Sequence, residues 1–165
     1  MTEIFLAGSA RRFDRADSAA SHLLQMMPDW SLAHEQIAMN LWAEGKYAPA
    51  IAEWRRAAVL EKNADRIRLE DRGAQALRTG GVQAYARLRL EAIATRKGIS
   101  HEEQDFEPAE WYAYAGDWER ALAELDQMVT KRSQGALQIN LSAAYEPLHQ
   151  DPRYISLLKR IGVRT

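Results

Sequence analysis

The stretch from Ser31 to Ala64 constrains this chain most, because apolar residues recur there twice at helical spacing within one short span. His34, Ile37, Ala38 and Leu41 fall on one face of a first helix. Beyond a turn at Gly45 and Lys46, Tyr47, Ala50, Ile51, Trp54 and Ala57 form a second stripe at spacings of three and four. Each stripe needs the other for burial, so the sequence predicts a helix hairpin. Small residues at Ala38, Ala50 and Ala57 let the two backbones approach closely, while Leu41, Tyr47 and Trp54 fill the space between their ridges.

The same residues carry a family resemblance. Ala38, Leu41, Gly45, Tyr47, Ala50, Trp54 and Ala57 resemble a tetratricopeptide repeat (TPR) unit, whose period is about 34 residues. His34 and Lys62 depart from the family pattern, which favours a bulky apolar residue and a proline at those places. The resemblance implies an all-α fold: a right-handed superhelix of antiparallel helix pairs, an α-α solenoid, closed by a C-terminal capping helix. One array then covers 1–165, with units at 1–30 (truncated), 31–64, 65–98 (degenerate) and 99–132, and a capping tail at 133–165.

Shifting the register back one period aligns Ala7, Arg11, Phe13, Ala16, Ala20, Leu23 and Pro28 with Leu41, Gly45, Tyr47, Ala50, Trp54, Ala57 and Lys62. The first helix of that unit has room for roughly two turns, which is marginal alone. The expectation is that the natural chain continues upstream into a catalytic or DNA-binding domain; a frayed natural N-terminus is the alternative. At the next junction Pro28 stops a helix, Ser31 or Asp29 can cap the following one, and Trp30 packs across the joint.

In the third unit Asp71, Arg72 and Gln75 occupy places that were apolar, so its register is open. Gly80-Gly81 makes its turn, and Val82, Tyr85, Leu88 and Ala92 are buried ahead of a stop near Lys97 and Gly98. The next helix begins either at Ser100 or nearer Pro108. Ala109, Tyr112, Gly116, Trp118, Ala121, Leu122, Leu125 and Met128 then repeat the central spacing. The tail leaves the repeat; a helix from about Pro152 carries Tyr154, Ile155, Leu157, Leu158 and Ile161 on a broad apolar side. Its run Pro147-Leu148-His149-Gln150-Asp151-Pro152-Arg153-Tyr154 resembles the endings of TPR arrays at the C-termini of bacterial multidomain regulators.

Composition narrows the function. With 47% hydrophobic and 27% charged residues, the chain can bury a core and does not read as disordered. A formal net charge of −1 supplies no basic footprint for nucleic acid. Arg66, Arg68 and Arg72 interleave with Asp65, Glu70 and Asp71 and read as a solvated face. The absence of cysteine excludes disulfides, thiolate zinc sites and cysteine nucleophiles, and is compatible with cytoplasm or periplasm. No apolar run approaches the roughly 18 residues of a membrane span, so a soluble, cytoplasmic chain is expected.

Catalytic signatures are missing. His22, His34, His101 and His149 are scattered and no HExxH spacing occurs; His34 reads as a packed core histidine. His101-Glu102-Glu103 reads as an acidic helix start, since consecutive helical residues point apart. Neither the carboxylate pairs nor Ser9, Ser18, Ser21 and Ser133 have a recognisable catalytic context. Gly80-Gly81 lacks the Lys-Ser/Thr of a phosphate loop. The expectation is a non-enzyme without metal or cofactor.

In TPR arrays the first helices line a concave groove. By that resemblance the groove residues here are Phe5, Leu32, Glu35, Gln36, Met39, Trp42, Arg66, Leu69, Phe106, Glu110 and Tyr114. Trp42, next to Leu41 on the core stripe, either turns into the groove as an anchor or packs against the next unit's helix. With Arg66 as its one clear cation, such a groove would prefer a basic or amphipathic helical segment of a partner protein. The alternatives are homodimerisation through the truncated first unit and, less in keeping with a repeat, a small-ligand receptor or enzyme. The expected role is that of a protein- or peptide-binding scaffold, the C-terminal interaction or sensory part of a larger bacterial regulator.

Overall fold

The computed structural model describes residues 13–95 and 106–163. The chain is all-helical, with no strand among the described residues, and no described helix is long and apolar enough to cross a membrane. It divides at Gly81 into two compact units, Met1–Gly81 and Val82–Thr165.

The first unit holds α1 (Phe13–Met26), α2 (Ser31–Ala43), α3 (Tyr47–Leu60) and the leading part of α4 (Ala64–Thr95). The α2–α3 turn follows from Gly45. Lys46 N–H donates to the Leu41 carbonyl at 2.8 Å and Gly45 N–H to that of Trp42 at 2.9 Å, a closure that requires the left-handed φ of 79° at Gly45. Trp30 sits at the N-cap of α2 with no side-chain cap hydrogen bond, so neither Ser31 nor Asp29 caps it. The start is held instead by packing, with Trp30 against the cluster of Ala20, Leu23 and Ala33.

The interior of this pair corrects the first-helix phase. Ala38 is buried as expected, but the next inward residue is Trp42, 6% exposed, while Leu41 is only partly buried. Trp42 meets Tyr47 edge-on at 4.6 Å and lies 5.4 Å from Trp54, both on its own partner helix. Ala50, Ile51, Trp54 and Ala57 close the other side. A spacing of four suits this crossing better than three, because the largest apolar surface then lies between the backbones.

The helix α4 is interrupted at Gly81, whose φ of 68° and ψ of −164° are open essentially to glycine alone. Gly80 stays helical, so the break is one residue rather than a two-glycine turn. In the leading part, the expected solvated face is partly interior: Glu70 is fully buried.

The second unit holds the part of α4 after Gly81, α5 (Phe106–Tyr114), α6 (Trp118–Lys131), two 3₁₀ segments, η1 (Gln134–Leu141) and η2 (Ala143–Leu148), and α7 (Pro152–Arg160). The α5–α6 turn repeats the α2–α3 turn at Gly116 (φ 80°), with Asp117 N–H to Tyr112 O at 2.9 Å and Gly116 N–H to Ala113 O at 3.0 Å. The phase recurs too: Ala109 and Ala113 are interior and Tyr112 is half-buried. Trp111, outside the spaced stripe of this helix, is also core; it meets Tyr85 edge-on at 5.6 Å and lies under the buried Arg89 guanidinium at 5.0 Å.

The tail packs back on α6 through two ion pairs that its sequence does not announce. Arg153 of α7 holds Glu119 of α6 at 2.9 Å, and Arg160 holds Asp126; both pairs are 34 residues apart. Two contacts at one offset mean that α7 runs parallel to α6. η2 takes the place beside α5, where Ser142 Oγ–H donates to the Glu110 carboxylate. Tyr154, Leu157 and Leu158 seal the α6 core of Leu122, Leu125 and Met128, and the Tyr154 hydroxyl donates to the Ile139 carbonyl at 3.0 Å. The sequence masked this because Pro147 and the 3₁₀ geometry erase the 3.6-residue periodicity.

Candidate functional site

On α2, Leu32, Glu35 and Met39 stand at i, i+3 and i+7 and so share one face. Leu32 and Met39 are 51% and 50% exposed. Glu35 between them is only partly exposed, because the Arg66 guanidinium from α4 donates to its carboxylate. A second donation from Arg66 reaches Glu61 at 2.9 Å, beyond the end of α3. Burial works against the Arg66 charge, but the hydrogen bond and charge of Glu35, with the charges of Glu61 and Glu70, outweigh it and raise the guanidinium above its ordinary value. Leu69, one turn from Arg66, is half-buried.

The face is therefore a fixed one. Arg66 clips α2 to α4, and the two carboxylates on its single guanidinium, Glu35 and Glu61, leave the surroundings acidic. Arg66, the one clear cation among the groove residues, is committed to internal partners. Val59, on α3, is 38% exposed but belongs to a different helix.

Other expected groove residues lie elsewhere. Trp42 is core, for the reason given above. Gln36 is buried, with Asn40 and the Glu44 side chain, in a polar stripe at i, i+4 and i+8 of α2. Glu110 and Tyr114 belong to the second unit: Glu110 accepts from Ser142, and the partly buried Tyr114 packs on the core, 5.8 Å from the Trp111 ring. Phe5 and the side chain of Phe106 lie outside the described residues, as do His101, Glu102 and Glu103.

His34 is buried as a hydrogen-bonded tie rather than by apolar packing. Its Nδ1 lies 2.6 Å from a Glu53 carboxylate oxygen on α3, and its Nε2–H donates to the Pro28 carbonyl at 3.2 Å, so one side chain joins α3 to the α1–α2 junction. Among the described residues no three His, Asp or Glu side chains converge in a way that could hold a metal ion. Trp118, the first residue of the repeated spacing after Gly116, is half-buried at the start of α6, where Asp117 caps the helix by accepting from Arg120 N–H at 3.1 Å.

Comparison with models of known protein families, with curated proteins and with solved structures found no match.

Proposed function

We propose that this chain is a non-catalytic helical-repeat scaffold of TPR type, a solenoid of antiparallel helix pairs that binds a segment of another protein on the α2 face. The observation that carries the reading is the exposed pair Leu32 and Met39, set on either side of a Glu35 held rigid by Arg66. Two apolar anchors one heptad apart, on a face with excess carboxylate, suit a basic amphipathic helix laid along α2. The repeated Gly45 and Gly116 turns and the 34-residue pairings of α6 with α7 support the repeat reading. The tail's likeness to the ends of regulator arrays supports a place as the interaction part of a larger bacterial regulator.

The test is a titration of the chain with a synthetic amphipathic helix of leucine and lysine, and with its leucine–glutamate counterpart, followed by backbone amide shifts. Saturable shifts along α2 with the lysine form, lost in Leu32→Ser/Met39→Ser, are expected. Equal response to both peptides, or binding that survives the double substitution, would refute the reading. A concentration-dependent mass in light scattering that the same substitutions abolish would assign the face to a second copy of this chain.

A further inference from the structure

The second unit carries a recess between the α4 segment after Gly81 and the α5–α6 turn. It encloses about 560 Å³ and is walled by Arg87, Leu90, Tyr112, Trp118 and Arg120, with Gly116 at the turn. That volume lies within the range of roughly 300–1,000 Å³ typical of ligand sites. The recess is open along one side, however, so it cannot bury most of a small molecule's surface. A chain crossing it, with one or two side chains lowered in, fits better.

The charges around the recess are unequally spent. Asp117 caps the α6 N-terminus, and its second oxygen lies 3.5 Å from Arg120 Nε. Glu119 is held by Arg153, which Asp151 also holds at 2.8 Å. Asp117 is thus matched by Arg120, whereas Glu119 turns to Arg153 and shares that single charge with Asp151. Glu91, one turn along from Arg87, has a partner of its own. Arg87 is exposed and makes no hydrogen bond or ion pair among the described residues. The Arg120 guanidinium lies over the Tyr112 ring, 5.7 Å from its centroid, and Trp118 is half-buried beside it. One uncommitted cation therefore faces an aromatic and guanidinium wall, with the positive end of the α6 dipole adding to the field.

We propose that this recess is a second binding site, for an acidic peptide segment that places a carboxylate on Arg87 and a neighbouring aromatic side chain against Tyr112 and Trp118. Arg87 supplies a forked donor for the carboxylate. The wall supplies apolar area that a lone surface arginine lacks. This site lies in the other compact unit from the α2 face, selects the opposite charge, and stands or falls independently of it.

The probe is acetyl-Phe-Glu-Glu-amide, with acetyl-Phe-Lys-Lys-amide as the control, titrated into the full chain while the arginine Nε–H and tryptophan indole N–H resonances are followed. The acidic peptide should give saturable shifts at Arg87, Arg120 and Trp118, weakening as salt is raised. Arg87→Gln should weaken binding by about threefold and Arg87→Glu by about tenfold, as expected for loss and reversal of one rim charge. Arg87→Glu should also gain binding of the lysine peptide. Circular dichroism checks that both variants keep wild-type helicity, as an exposed residue without partners should allow. Absence of saturable shifts, equal affinity for both peptides, or unchanged affinity in the folded Arg87→Gln variant would overturn the proposal.

Discussion

Trp42→Ala tests the placement on which the inner architecture of the first unit depends. The side chain is 6% exposed and touches two aromatic neighbours, Tyr47 at 4.6 Å and Trp54 at 5.4 Å. A buried tryptophan removes about 150–250 Å² from water, worth roughly 4–6 kcal/mol at 25 cal/mol per Å². Alanine keeps a fraction of that and leaves a cavity, so the expected loss is about 3–5 kcal/mol. Leu32→Ala and Met39→Ala, on the same helix but half exposed, should each change stability by less than about 0.5–1 kcal/mol. The assay is urea unfolding followed by far-UV circular dichroism. A double-mutant cycle should give a Trp42–Trp54 coupling of about 0.5–1.5 kcal/mol. A Trp42→Ala loss below about 1 kcal/mol, level with the two controls, would return Trp42 to the surface and undo the inward phase assigned to α2.

Three further outcomes follow from backbone and burial. Gly81→Ala should cost about 1–3 kcal/mol because of its φ of 68° and ψ of −164°, whereas the helical, exposed Gly80→Ala should gain roughly 0.5–1 kcal/mol. Melting temperatures that move in the same direction would contradict the one-residue break. Arg132 ends α6 in a left-handed conformation, φ 55°; Arg132→Gly relieves about 1–2 kcal/mol of strain against a lost helix-dipole term of about 0.3–1 kcal/mol, so a net gain is expected in thermal unfolding. Burial pushes the Tyr154 hydroxyl up to about 12. The unfolded chain gives up that proton near pH 10, so stability is full below that pH and falls as pH rises towards 12, by at most about 3 kcal/mol from this group. Tyr154→Phe should flatten the decline while losing about 1 kcal/mol from the hydrogen bond to Ile139; an unchanged slope in alkaline urea titrations would refute the cause.

Residue type alone determined a good deal. Gly45 and Gly116 mark their turns because left-handed backbone is open to glycine at little cost, and Asp151-Pro152 marks the start of α7 because it joins a cap to a first-turn proline. The second-helix stripes at Ala50 to Ala57 and Ala121 to Met128 were legible because both faces of those helices differ sharply in polarity. Decisions between neighbours required the tertiary structure. Leu41 or Trp42, and Tyr112 or Trp111, differ by one position on helices with little amphipathic contrast, so only the crossing of the partner helix chose which turned inward. Arg66 and Glu70 are polar in any sequence window and read as solvated; Arg66 is half-buried because Glu35 and Glu61 come from other elements to meet its charge, and Glu70 is fully buried with a partner of its own. The pairing of α7 with α6 was invisible for the same reason, since it is made through Arg153 and Arg160 and not by any period along the chain. Local backbone preference is written in single residues, whereas phase and pairing depend on groups far apart in sequence, and only packing brings those together.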